Sequence, residues 1–156
     1  MKYYIAYGSN LSHEQMKHRC PSATPVGTAA LKGWRLVFKY HADIIPHENG
    51  EVPVGIWQIS DEDESRLDKY EGYPGYYVKR NMYVMMKTLD GRHIKRINAF
   101  VYVMSSGHQI YPPEISYYHG IMDGYEDFGL NTFPLLRALD NSLMMYKSYH
   151  DVRKDG

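Results

Sequence analysis

YYIAYGSNL, residues 3–11, is the stretch on which the fold turns. From Lys2 to Tyr7 the residues are mostly aromatic or aliphatic with no breaker, and they read as a β-strand. Gly8-Ser9-Asn10 stops that strand at a permissive, polar turn. Ser12 then fits an N-cap with Gln15 at N3, the pattern of a capping box, so a helix should begin at once. It should end by Cys20, because Pro21 disfavours helical geometry at the residue before it. A strand that runs through a tight turn into a helix start gathers free backbone N–H groups at one spot, an arrangement that binds carboxylates and oxyanions. An ordinary strand-to-helix connection capped by Ser12 would carry the same residues.

The remainder of the chain reads as one domain over residues 1–150, with a frayed tail at 151–156. Its 156 residues are enough for one core, and 44% hydrophobic with 23% charged residues is a globular composition. Lys+Arg and Asp+Glu number 18 each, so the net charge is zero. That argues against general nucleic-acid binding, which rests on a basic surface, and offers nothing to an anionic membrane. The single cysteine excludes an intramolecular disulfide. With no signal-peptide pattern at the start and no apolar run long enough to span a bilayer, the expected location is cytoplasmic. The oligomeric state is not legible. Tyrosine is over-used, 16 against 4 phenylalanines, which fits either a shallow wet core or rings lining a polar pocket.

Residues 26–40 read as two strands broken at Lys32-Gly33, and Asn49-Gly50 as a turn before a strand over residues 52–59. Ser60 caps a second helix with Asp61, Glu62 and Asp63 in its first turn, and Gly72 ends it. Residues 76–104 form a hairpin around Asp90-Gly91. After Pro112-Pro113 two helices follow, the second with Leu135, Leu136, Leu139, Leu143 and Tyr146 along one face. About six strands with flanking helices make an α+β domain.

The eight histidines show no metal-ligand spacing, and no glycine-rich phosphate loop follows a strand. Ser9 sits where a nucleophile elbow would, but Tyr-Gly-Ser-Asn is not Gly-x-Ser-x-Gly. Cys20 before Pro21 reads as a small buried residue. Glu71 stands apart from the other acids of its helix. It lies in the last turn, where the dipole disfavours a carboxylate, beside Tyr70, Tyr73, Tyr76 and Tyr77. Burial there would raise its proton affinity and suit it to general acid–base work, whereas a frayed end would leave it an exposed glutamate. Neither Glu71 nor the Gly8-Ser9-Asn10 turn decides the function alone.

Taken together, Tyr-Gly-Ser-Asn-Leu (7–11), Pro-Ser-Ala (21–23), Ala-Asp-Ile-Ile-Pro (42–46), residues 52–59, Leu-Asp-Lys-Tyr-Glu-Gly-Tyr-Pro-Gly-Tyr-Tyr (67–77) and the Pro-Pro segment at 112–130 resemble the gamma-glutamylcyclotransferase-like family, in family order. The resemblance implies a small mixed β-barrel with flanking helices and a cavity at its mouth. It implies conversion of a small γ-glutamyl amide or amine to 5-oxoproline without a cofactor. It assigns Glu71 the catalytic role, Tyr7, Gly8, Ser9, Asn10 and Leu11 the substrate-holding loop, and Tyr117 a place in the pocket. One departure is visible. Only His41 separates Tyr40 from Ala42, where a longer insert is expected in glutathione-pathway members, so a γ-glutamylated amine such as a modified lysine fits as well as a glutathione-related substrate. A non-catalytic binder of a γ-glutamyl or carboxylate ligand is the alternative, and a hydrolase using Ser9 a third.

Overall fold

The computed structural model describes residues 1–155, with side chains as far as Asp151. Strand β1 (Lys2–Ala6) stops at a single-turn 3-10 helix (Ser9–Leu11), and helix α1 (His13–Arg19) follows directly. The Ser12 hydroxyl accepts from the Gln15 N–H at 3.2 Å, which supplies the expected cap. Strands β2 (Thr24–Lys39) and β3 (His41–Ile59) form a long hairpin, followed by helix α2 (Asp61–Glu71). Strands β4 (Tyr77–Thr88) and β5 (Ile94–Met104) form a second hairpin, and helices α3 (Ile115–Phe128) and α4 (Phe133–Asp155) complete the chain. No helix among the described residues is long and apolar enough to cross a membrane.

The strands close into a barrel in the order β1-β3-β2-β4-β5, with β5 returning to β1. The β1–β5 pair is parallel and the others antiparallel, so the barrel is mixed as expected, but it has five strands rather than six. The difference lies in the first hairpin. Gly33 does not break the chain into two strands, and Asn49-Gly50 does not make a turn. Pairing runs without loss from Lys39–His41 back to Trp34–Pro46 and resumes at Lys32–Glu51, so residues 47–50 bulge opposite Gly33 alone. The reversal sits instead at Tyr40, a non-glycine residue with φ of 67°. A continuous ladder of paired strands outweighs one residue in the left-handed region, whose cost is on the order of 1–2 kcal/mol.

This topology brings the ends of β1, β2 and β5 and the starts of β3 and β4 to one mouth of the barrel. Two caps hold α2 over that mouth. Ser60 and Asp63 exchange hydrogen bonds in a capping box at its start, and Gly72, at φ 65°, ends it in the left-handed conformation that a β-carbon would oppose. Helix α3 closes the other side by packing on the 3-10 turn. Its Gly124 faces the turn so closely that a β-carbon there would lie 2.6 Å from both the Leu11 carbonyl carbon and the Ser12 nitrogen.

Helix α4 packs on β2, rotated from the expected face. Leu135, Ala138 and Ser142 are buried, whereas Leu136 and Leu143 are exposed. The small residues at 138 and 142 let the helix approach the sheet more closely than the leucine stripe would.

Gly124→Ala should destabilise the fold by about 1–2 kcal/mol, because crowding against backbone exceeds the roughly 1 kcal/mol gain in helix propensity. Denaturant unfolding reads this directly, and an unchanged or raised midpoint would contradict such close packing.

Candidate active site

A cavity of about 380 Å³ opens at the barrel mouth. Tyr7, Gly8, Ser9 and Asn10 form one wall, Glu71 and Gly72 another, and Tyr117 of α3 a third. The expected site residues thus meet around one space, Leu11 excepted. Leu11 is wholly buried beneath the loop, against Gly124. Seven of the 16 tyrosines line the cavity, which accounts for much of the tyrosine excess.

The loop is held from several directions. Leu11 donates its N–H to the Gly8 carbonyl at 3.0 Å and Ser12 to the Ser9 carbonyl at 3.2 Å. As the first residues of a helical turn, Ser9 and Asn10 have N–H groups that the turn itself does not engage. Trp57 Nε1 donates to the Asn10 carbonyl at 2.9 Å. The Tyr7 hydroxyl donates to the Tyr102 carbonyl at 2.7 Å, and Ala42 donates its N–H to the Tyr117 hydroxyl at 2.9 Å. The Tyr77 hydroxyl donates to the Ala42 carbonyl at 2.7 Å, so two phenols fix the start of β3.

Glu71 is the last residue of α2, and its carboxyl group faces the cavity interior. Asn10 Nδ2 donates to Glu71 Oε1 at 3.1 Å and to the Tyr4 hydroxyl at 2.9 Å. Burial raises the Glu71 pKa from the ordinary glutamate range to about 7, and Arg19 and the Asn10 hydrogen bond offset part of that rise. Of the tyrosines next to Glu71 in sequence, Tyr73 lies outside the cavity, against Tyr102 and Lys79. The desolvating rings include Tyr4 and Tyr102, which come from distant strands. Burial also holds the hydroxyls of Tyr4, Tyr7, Tyr77, Tyr102 and Tyr117 above the usual phenol range, so they stay protonated.

Among the described residues Ser9 has no histidine partner. Its hydroxyl lies 3.3 Å from Arg19 Nη1 and 3.3 Å from the Tyr70 hydroxyl, neither of which is a general base for a serine nucleophile at neutral pH. The Cys20 thiol is buried outside the cavity and pushed up to about 11 by that burial, so it is not a nucleophile either.

Four residues join the site without having been singled out from sequence: Arg19, Tyr4, His41 and Tyr102. His41 Nδ1 lies 2.9 Å from the Tyr76 hydroxyl, and burial lowers the His41 pKa. The breaker-free run of aromatic and aliphatic residues places Tyr4 in a strand but does not place its ring beside Asn10. Arg19 had only the look of a basic residue at a helix C-terminus.

A sequence profile of the family described as gamma-glutamyl cyclotransferase, AIG2-like, matches residues 4–120. The chain belongs to that family. It is 32% identical over 140 residues to a gamma-glutamylcyclotransferase of Bos taurus, covering 81% of this chain and 71% of the relative. A Homo sapiens gamma-glutamylcyclotransferase is 31% identical over 143 residues, with the same coverage. Among solved structures, one described as a gamma-glutamyl cyclotransferase superposes with a TM-score of 0.75 at 27% identity, covering 88% of this chain and 85% of that one. Glu71, the loop at 7–11 and Tyr117 all fall within the matched region.

The raised Glu71 pKa has a consequence for stability. A glutamate that binds its proton more tightly when folded favours folding while protonated and loses that contribution as pH rises from the unfolded value, near 4.5, to about 7. Glu71→Gln keeps the neutral shape, so it should match wild type at pH 4 and exceed it by on the order of 1–2 kcal/mol at pH 8. Denaturant unfolding at both pH values checks this, and equal stability at pH 8 would place the carboxylate in an ordinary solvated setting.

Proposed function

We propose that this gamma-glutamylcyclotransferase-like enzyme converts a γ-glutamyl amide or amine to 5-oxoproline and a free amine, with Glu71 as general base and then general acid. The observation that carries the reading is that Glu71, hydrogen-bonded by Asn10, lines the same cavity as the Gly8-Ser9-Asn10 turn, with burial raising its pKa to about 7. The substrate supplies its own nucleophile. Its α-amine is mostly protonated at neutral pH, with a typical pKa of about 8, and must lose a proton before it can attack. Glu71 as a carboxylate accepts that proton.

The freed nitrogen adds to the γ-carbonyl carbon, closes a five-membered ring and leaves negative charge on the carbonyl oxygen. The Ser9 and Asn10 N–H groups supply donors for that oxygen, and one such donor is typically worth about 3 kcal/mol of barrier. The C–N bond to the leaving amine then breaks as Glu71–H returns its proton to the departing nitrogen, and the ring nitrogen gives up its remaining extra proton to the Glu71 carboxylate so regenerated, which releases it to solvent or to the product amine. Tyr7 and Tyr117 shape the pocket that folds the extended γ-glutamyl chain into attack geometry.

In this reading the leaving group extends past the wall made by His41 and Ala42, which follow the single-residue β2–β3 turn at Tyr40. The acceptor side is therefore open, which suits a γ-glutamylated amine at least as well as a bulkier peptide. A pure binding module has no use for a carboxylate poised to change protonation near neutral pH.

The test is mass-spectrometric 5-oxoproline release from a panel of γ-glutamyl amines and amino acids. Wild type should release it, Glu71→Gln should lose about 10²–10⁴-fold, and Ser9→Ala should keep most of the activity because the loop acts through its backbone. Wild-type kcat/KM should fall as pH drops through about 7, as Glu71 protonates. Ligand binding without any release would favour the binding module instead.

A further inference from the structure

Arg19 poses a question that the reaction scheme leaves open. Its side chain is half-buried, yet no ion pair engages it among the described residues. A guanidinium taken partly out of water normally finds a carboxylate. This one finds an amide oxygen, a hydroxyl and a ring. Arg19 Nη1 donates to Asn10 Oδ1 at 2.5 Å and to Ser9 Oγ at 3.3 Å, and its Cζ lies 3.6 Å from the centroid of the Tyr70 ring.

The partner's chemistry explains the arrangement. The Asn10 side-chain amide has one accepting and one donating end, and a guanidinium can only donate. With Arg19 on one side, Oδ1 must face it, and Nδ2 must then face Glu71 Oε1 and the Tyr4 hydroxyl. Were the amide to turn over, its oxygen would meet the Glu71 carboxylate and repel it. The same arginine also steadies Ser9, whose backbone neighbours Asn10 in the turn, and Tyr70, which precedes Glu71 on α2.

We propose that Arg19 is a positioning residue for the cyclisation reaction: it locks the Asn10 amide with its N–H toward Glu71 and so fixes the direction and basicity of the catalytic carboxylate. This rests on the reading of Glu71 as the acid–base group. Arg19 positions the site through its hydrogen bond to Asn10, while its charge also lowers the Glu71 pKa directly.

The other groups facing Glu71 do not perform this task. Tyr4 of β1, Tyr102 of β5 and Tyr117 of α3 are held protonated by burial, as are Tyr7 and Tyr77. Burial likewise raises Tyr76, whose hydroxyl pairs with the His41 ring at the mouth. Lys69, on Glu71's own helix, lines the cavity but is an exposed side chain with no hydrogen bond to Asn10. Arg19 is the cation that touches the Asn10 amide.

The experiment compares Arg19→Met and Arg19→Lys with wild type, reading the Glu71 side-chain carboxyl titration by ¹³C NMR together with kcat and KM for 5-oxoproline release. In Arg19→Met the Glu71 titration should move up by about one pH unit and the acid limb of kcat/KM should move with it. Its kcat should fall roughly 10- to 100-fold while KM changes less. Arg19→Lys keeps the charge but not the fork, so Glu71 should titrate near its wild-type position while kcat stays reduced. Arg19→Met combined with Asn10→Ala should lose far less than the two single losses multiplied, since the positioning effect of Arg19 runs through Asn10 and only its direct charge effect on Glu71 remains. A wild-type titration and kcat in Arg19→Met would overturn the proposal, as would additive losses in the double variant. The NMR titration needs no turnover, so it reads the Arg19–Asn10–Glu71 linkage even if the cyclisation reading fails. Should Arg19→Met not fold, the kcat-against-titration split in Arg19→Lys carries the same decision.

Discussion

A carboxyl group at the C-terminal end of a helix, walled in by phenol rings, is held where neither the helix dipole nor the solvent favours its charge. The position of Glu71 sets what the rest of the molecule must supply. A buried carboxylate must be hydrogen-bonded or give up its charge, and here the two influences nearly balance. Burial pushes the proton on, Asn10 and Arg19 pull it off, and the outcome is a group that changes state at about pH 7. Burial alone would favour the neutral acid and the Asn10 and Arg19 interactions alone the carboxylate; together they leave a group suited to the acid–base role proposed for it.

The barrel makes this balance possible by bringing remote pieces to one mouth. Because β1 and β5 run parallel and their partners antiparallel, the end of β1, with the turn that follows it, faces the starts of β3 and β4. Helix α2, capped at both ends, delivers Glu71 from one side, while α3 seats the 3-10 turn from the other through the contact at Gly124. Tyr117 accepts from the Ala42 N–H and Tyr77 donates to the Ala42 carbonyl, so both backbone groups of Ala42 are held. The backbone of the turn is thus held by packing against α3, which suits the oxyanion-holding role proposed for it.

What could be read from the sequence followed how local each signal was. The first strand, the Ser12 and Ser60 caps, the Gly72 stop and the Asp90-Gly91 turn depend on neighbours within a few residues, and all appear in the structure. Asn49-Gly50 has equally strong turn chemistry, yet it lies in a bulge, because cross-strand pairing over residues 34–46 decides where the hairpin reverses. The buried face of α4 was misjudged for a related reason: close approach to β2 favours Ala138 and Ser142 over larger leucines. Around the cavity, the loop and Glu71 are the residues to which the motifs point. They do not point to Arg19, Tyr4 and Tyr102, since the roles of these residues exist only once α1, β1 and β5 have been folded against α2.

The most direct measurement is a crystal structure of Glu71→Gln with an uncyclised γ-glutamyl amine bound. The account predicts the substrate α-amine within hydrogen-bonding distance of the residue-71 carboxamide, with the γ-carbonyl oxygen on the N–H groups of Ser9 and Asn10. A substrate lying with its α-amine turned away from residue 71, or with its γ-carbonyl remote from the turn, would contradict it.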